Sequence, residues 1–347
     1  MVLGKCIKKG ITPAKTKTKN ASAIAVHEKV ITLIDYIFAE AGENISTYLK
    51  GGVAALNHLG QGQIVKGRQQ LMTIKRLNDV YEKRSNPGNF LKLAEAVQSY
   101  FILIPTQLPP RPTPEIIVGN LVRSFYEQEN RLDQLEAALG TMAVQVQDPS
   151  ASKYESLGVR IERMSWHDKD HGKLVERINK TCLKRTHGFE AKVHDIFEVE
   201  IPHERKRFED NKKGKSKVEL LYHGTRGGNV RHILRSGLKI PVSAANGWMF
   251  GRGIYGANKF SKSAQYCLSS QGKPLEMLFL MDVALGKSYT APGAMTSAIS
   301  APGGYDSVFG KASHTKNGMG SLLNDEFIVY DPAQVTLKYL VTYEKNR

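Results

Sequence analysis

The chain has 347 residues, enough for two domains, and its 41% hydrophobic and 24% charged content is that of an ordinary globular protein with a buried core. No apolar run is long enough to cross a bilayer and no secretory leader is recognisable; three widely spaced cysteines, Cys6, Cys182 and Cys267, argue against a disulfide framework and against a metal site. That pattern favours an intracellular location, nuclear in a eukaryote and cytoplasmic in a prokaryote, and the net charge of +16 either attracts polyanions such as nucleic acid or simply keeps the surface soluble.

Residues 1–24 carry Lys5, Lys8, Lys9, Lys15, Lys17 and Lys19 with no acidic residue. They read as a mobile basic tail that touches nucleic acid or is a solvated leader. From Val26 the pattern turns helical: Val30, Ile34, Ile37 and Phe38 share one face, and Gly51-Gly52 end a second apolar segment containing Ile45 and Leu49. Ile64, Leu71, Ile74, Leu77 and Tyr81 mark a third helix, stopped by Asn86-Pro87-Gly88. Phe90, Leu93, Val97 and Phe101 mark a fourth, stopped before Pro105, and the proline-rich stretch from Leu108 to Pro114 reads as a loop. Ile116 to about Val146 is one long helix or two consecutive ones. Five or six helices without a strand signal make an α bundle over residues 25–146.

Gln147-Asp148-Pro149-Ser150 reads as a linker into a second unit, residues 147–347. There Lys173 to Lys184 is helical, Val193 to Val199 a strand, and the charged stretch Glu204 to Lys217 a solvated loop. Leu220-Leu221-Tyr222 runs as a strand into His223-Gly224-Thr225. Met277 to Leu285 reads as a buried strand, Thr296 to Gly320 as a Gly/Ser-rich loop, and Glu326 to Tyr330 and Val335 to Tyr343 as strands around an Asp331-Pro332 turn. The expected class is α+β: an N-terminal helical bundle, then an antiparallel-rich mixed sheet.

The stretch Leu220 to Cys267 concentrates the chemistry. Gly247, Gly251 and Gly253 punctuate an aromatic run of Trp248, Phe250 and Tyr255, and Ser261-Lys262-Ser263 leads to Tyr266. Glycines admit close approach of backbone to a ligand, aromatics give flat walls, and His and hydroxyl groups give directional hydrogen bonds. Together these residues suggest a slot for a flat polar ring. His223-Gly224-Thr225, Gly253-Ile254-Tyr255, the run from Ser261 to Cys267 and the run from Asn324 to Asp331 resemble, in order and spacing, the catalytic domain of poly(ADP-ribose) polymerases. The resemblance implies NAD as substrate, no metal, and a His-Tyr-Glu triad at His223, Tyr255 and Glu326. It implies that Gly224 backbone, Thr225 and Ser263 hold the nicotinamide amide. Tyr266 stacks on the ring opposite Tyr255, and His223, Asn229 and Lys239 line the adenosine end, with Glu129 near it. Glu326 stabilises the cationic sugar and orients the acceptor, implying polymer synthesis, and Met249 and Lys262 match positions near the acceptor chain.

Departures are Thr225 for the usual Ser, Lys239 for Arg, Trp248 for Tyr, and a somewhat shorter loop between Lys239 and Gly247. Thr225 keeps the hydroxyl but stiffens χ1, and Lys239 offers a point charge in place of a planar fork. Val30 to Phe38, Leu59 to Ile64 and Tyr100 to Pro105 also resemble the helical regulatory domain of the DNA-dependent branch. That resemblance implies a bundle that restrains the transferase. The expected function is NAD-dependent poly-ADP-ribosylation of protein acceptors, the chain itself included, with contact to DNA or another polyanion open and no membrane partner. Transfer of a single unit or NAD hydrolysis is the alternative, and an inactive basic nucleic-acid-binding scaffold is the reading from another class.

Overall fold

A computed structural model describes residues 27–108, 110–142, 149–240, 248–269, 274–312 and 322–346. The proposed basic tail, Cys6, Gln147-Asp148 and most of the loop after Lys239 lie outside the described residues. The chain runs α1 (Glu28–Tyr48), a 3-10 turn (Gly52–His58), α2 (Gln61–Lys83), α3 (Pro87–Leu103), α4 (Pro114–Arg123), α5 (Phe125–Met142) and α6 (Pro149–Leu157). Then follow β1 (Arg160–Arg163), α7 (Lys169–Thr181), α8 (Lys184–His187), β2 (Glu190–Glu200), α9 (Pro202–Asn211), β3 (Val218–Gly224) and α10 (Gly227–Ser236). The last stretch is β4 (Ile254–Gly256), α11 (Phe260–Ala264), β5 (Leu275–Ala284), β6 (Ser288–Thr290), β7 (Ser307–Gly310), β8 (Glu326–Val329), a 3-10 turn (Pro332–Gln334) and β9 (Val335–Asn346). The α+β expectation holds, with helices first and antiparallel-rich sheets after.

Local chemistry explains the helix ends. Asn86 accepts from the Asn89 N–H with Pro87 in the first turn, and Thr113 accepts from the Ile116 N–H with Pro114 in the first turn. A proline that reads as a stop for one helix thus opens the next. Pro149 does the same for α6, so Pro149-Ser150 is the start of a helix, not a linker. The first two apolar segments are one continuous α1, with Val30, Ile34, Ile37, Ala41, Ile45 and Tyr48 buried at helical spacing. Ile116 onward is two helices, α4 and α5, broken at Ser124.

One sheet has the order β1-β2-β9-β5-β3 and is antiparallel throughout; the other has the order β4-β8-β7-β6, with only β6 and β7 parallel. The predicted strands Glu326–Tyr330 and Val335–Tyr343 fall in different sheets, with the Asp331-Pro332 turn as the hinge between them. Strand β5 is apolar at every position but Glu276 and Asp282, because both of its faces are covered: Met277, Phe279, Met281 and Val283 face one core, Leu278 and Leu280 the other. The first core also takes Val30, Leu33, Ile34 and Ile37 from α1, while Ile45, Tyr48 and Leu49 join the helical core with α2 to α5. Helix α1 therefore belongs to both halves of the molecule.

Two predicted loops are corrected. Glu204 to Lys217 contains most of α9, because Glu204 and Phe208 are buried on one face of an otherwise charged helix. Leu337 N–H donates to Glu204 Oε1 at 2.5 Å, which ties α9 to β9. Thr296 to Gly320 contains β7, whose Val308 is fully buried against Ile328. Residues 313–320 lie outside the described residues.

Candidate active site

Three segments distant in sequence meet at the mouth of the sheets. Strand β3 ends at His223-Gly224, β4 presents Tyr255, and β8 begins at Glu326; Tyr255 is level with Ile328 across the β4–β8 pair. A backbone bridge between Tyr222 and Ala257 joins the two sheets at this point. The residues line one cavity of about 770 Å³, together with Thr225, Asn229, Lys239, Trp248, Lys262, Ser263 and Tyr266. That volume falls in the range of small-molecule and cofactor sites.

The imidazole Nδ1 of His223 lies 2.9 Å from the Tyr255 carbonyl oxygen. A carbonyl only accepts, so Nδ1 carries the hydrogen, and burial pushes the ring's pKa down, keeping it neutral. Nε2 is then left as an acceptor. Gly224 is sterically obligatory: a Cβ there would sit 1.8 Å from the Ser263 carbonyl oxygen of α11. The Tyr255 hydroxyl donates to the Gly251 carbonyl at 2.8 Å and accepts from the Phe250 N–H at 3.0 Å, which fixes the ring; burial pushes its phenol pKa up. Tyr266, by contrast, is 51% exposed, an open apolar face at the mouth.

Glu326 is buried, and Lys262 Nζ lies 2.8 Å from its Oε1. Its Oε2 is also buried and has no hydrogen-bond partner among the described residues. Burial alone would lower the Lys262 pKa, but the bond and charge of Glu326 outweigh it and the net shift is upward. Ser263 Oγ donates to the Tyr222 carbonyl at 3.0 Å, so only its acceptor lone pairs remain for a ligand. Thr225 Oγ1 accepts from Asn229 Nδ2 at 3.1 Å and keeps its own O–H free to donate.

The opposite wall comes from the helical half, and here sequence reasoning found only Glu129, which lines the cavity. Gln134 Nε2 of α5 donates to Asn229 Oδ1 at 2.7 Å. Asp133 lies 3.2 Å from His232 Nε2 on α10 and also pairs with Arg68 of α2. Burial pushes His232 down to about 4, Asp133 opposing and Lys239 and Arg68 adding to the shift. In the sequence these polar side chains look like a solvated helix face; nothing local marks them as facing a cavity. Met249 is the one site candidate outside the cavity lining: it packs beside Phe250, Val308 and Ile328.

A second polar cluster adjoins Lys262. Asn324 Nδ2 donates to His187 Nε2 at 3.3 Å, so His187 Nδ1 carries the hydrogen and donates to Ser261 Oγ at 2.8 Å. Burial and the nearby Lys262 charge hold this imidazole's pKa down. Its role within the described residues is to pin α8 to α11. Among the described residues there is no group of three or more His, Cys, Asp or Glu side chains placed to hold a metal, and no helix long and apolar enough to cross a membrane.

The family model for the poly(ADP-ribose) polymerase catalytic domain matches residues 169–345, just over half of the chain. Poly [ADP-ribose] polymerase 1 of Gallus gallus is 29% identical over 320 residues, which cover 84% of this chain and 31% of the relative. Poly [ADP-ribose] polymerase 1 of Arabidopsis thaliana is 29% identical over 316 residues, covering 82% and 31%, and poly [ADP-ribose] polymerase 2 of the same plant is 24% identical over 348 residues, covering 92% and 53%. The chain thus spans about a third to a half of the length of these curated relatives. With the matched region containing His223, Tyr255 and Glu326 around one cavity, the chain belongs to the poly(ADP-ribose) polymerase catalytic domain family.

Proposed function

We propose that this chain cleaves the nicotinamide–ribose bond of NAD and transfers ADP-ribose to protein acceptors, itself included, extending it into a polymer. The observation that carries this reading is Glu326: one carboxylate oxygen is held by Lys262 and the other is buried, without a hydrogen-bond partner among the described residues, in a cavity shared with His223, Gly224, Tyr255 and Tyr266. An orphaned buried oxygen is costly and calls for a ligand group that satisfies it. A ribose hydroxyl is such a group.

The remaining groups fit a dinucleotide. Tyr255 and Tyr266 bracket the nicotinamide ring. Thr225 O–H donates to its amide oxygen, and Ser263 Oγ, its own hydrogen committed elsewhere, accepts from the amide N–H. His223 Nε2 accepts from the adenosine ribose, with Asn229 and Lys239 beyond it. As the glycosidic bond breaks, its electron pair leaves with nicotinamide and positive charge builds on the ribose carbon; Glu326 lies ready to stabilise that charge. The acceptor hydroxyl, hydrogen-bonded to the same carboxylate, then attacks this carbon and passes its proton to that carboxylate. Lys262 compensates the carboxylate's charge and borders the acceptor side.

We read residues 25–146 as the regulatory unit, residues 147–347 as the transferase and residues 1–24 as a basic tail. Restraint of the donor site is supported by Gln134 and Asp133, which engage Asn229 and His232 at its adenosine end. Removing residues 1–146 would also strip Val30 to Ile37 from the transferase core, so Gln134→Ala is the cleaner test of restraint: NAD turnover should rise, and an unchanged rate removes that contact from the account. For the activity itself, the protein is incubated with labelled NAD, with and without nicked DNA. A ladder supports polymer synthesis; a single band or free ADP-ribose supports the single-unit or hydrolytic reading; no label overturns both. Glu326→Gln should abolish the ladder while NAD still binds.

A further inference from the structure

Three half-buried aromatic rings stand in line along one wall of the cavity. Tyr255 and Trp248 lie nearly parallel, centroids 6.3 Å apart and planes 18° apart. Trp248 in turn meets Tyr126 of α5 edge-on, at 6.0 Å and 64°. All three line the cavity with part of their surface open, unlike Tyr48, which borders the same cavity as a core residue at 5% exposure. Both ring pairs fall in the attractive range for aromatic contacts. Rings serving the core alone would be closed over by neighbours. These continue the ring slot from the sheet across to the helical unit.

We infer that Tyr126 is a substrate-positioning residue: with Trp248 it extends the nicotinamide slot into an aromatic wall that receives the cationic nicotinamide–ribose half of NAD. The inference rests on the NAD reading above and deepens it. The nicotinamide ring of NAD is a flat cation, and Trp248, stacked beside the Tyr255 that flanks that ring, adds a second electron-rich ring on the same side of the slot. The edge-on contact from Tyr126 fixes the plane in which that indole supports Tyr255. The helical unit then acts on the donor site with two signs. Gln134 and Asp133 hold the adenosine end, whereas Tyr126 completes the other end. Single substitutions separate the two effects.

The test measures NAD kinetics for Tyr126→Ala and Tyr126→Phe, and Trp248 emission. The sequence has two tryptophans, so a Trp166→Phe background leaves Trp248 as the sole reporter, and Trp166 is 62% exposed and outside the cavity lining. Tyr126→Ala should raise KM for NAD about fivefold with kcat within about twofold, the loss of one aromatic contact from binding alone, while Tyr126→Phe keeps both values. Trp248 emission should shift to the red in Tyr126→Ala before any NAD is added, and NAD should quench it less. A lowered KM or raised kcat would make Tyr126 a restraint only and overturn the inference. Unmoved KM and emission in an active enzyme would overturn it while leaving the transferase reading intact. If the wild-type protein does not turn NAD over but NAD quenches Trp248 through Tyr126, the wall stands and the transfer reaction falls; absence of both turnover and quenching removes both.

Discussion

Replacing Lys262 with Met tests the centre of the site. The pair it breaks is short, at 2.8 Å, with side-chain exposures of 20% for Lys262 and 9% for Glu326. Removing one partner of a buried pair costs about 3–5 kcal/mol because the other charge is left uncompensated. Lys262 keeps a fifth of its exposure and the cavity admits water, so the cost falls at or just below the lower end of that range, about 2–3 kcal/mol. For a folded unit of this size that lowers Tm by about 5–10 °C. Adding Glu326→Gln to Lys262→Met removes the stranded charge and should recover most of the loss, giving a coupling of at least about 1 kcal/mol in a double-mutant cycle. The pH dependence has a defined sign. The folded-state pKa of Lys262 is raised, so the pair's contribution is complete below the ordinary lysine value of about 10.4 and disappears as pH climbs through the raised value. Urea unfolding of the four proteins from pH 7 to 11 reads this directly. If Lys262→Met matches the wild-type stability within about 0.5 kcal/mol at pH 7, or the double variant is no better than the single one, the pair does not organise the site.

Gly224→Ala should destabilise by about 1–3 kcal/mol and weaken NAD binding at least tenfold, because the new methyl meets the Ser263 carbonyl, whereas Gly62→Ala, with nothing within 4 Å, should stabilise by about 0.5 kcal/mol; calorimetry on both variants checks the contrast. The His232 pKa is pushed down to about 4 while an unfolded histidine titrates at about 6.5, so the unfolded chain binds the proton first and stability falls as pH drops through that window, by up to about 3 kcal/mol. His232→Gln should flatten the slope of unfolding free energy between pH 7 and 4.5; an unchanged slope assigns the acid sensitivity elsewhere. Glu204→Ala strands the Leu337 N–H in the core and should cost about 1–3 kcal/mol, seen as a lower urea midpoint without a change in m-value.

What the chain declares about itself is local. Apolar residues three and four apart specify α1 to α5, and the run Met277 to Leu285, apolar but for Asp282, specifies a strand covered on both faces. The motif residues His223, Gly224, Tyr255 and Glu326 are legible because each stands in a short fixed context. The same local reading misses α9, since a helix that buries only Glu204 and Phe208 looks like a charged loop until β9 offers the Leu337 N–H. It reads Pro149-Ser150 as a linker because the cap that a proline opens depends on what the helix then packs against. Tertiary structure alone decides that Lys262 meets Glu326 across 64 positions of sequence and that Gln134 and Tyr126 face the cavity rather than solvent. Periodicity records which face of an element is apolar. Which polar side chain on the other face finds a partner depends on how the sheets and helices are set against each other, and no spacing along the chain carries that information.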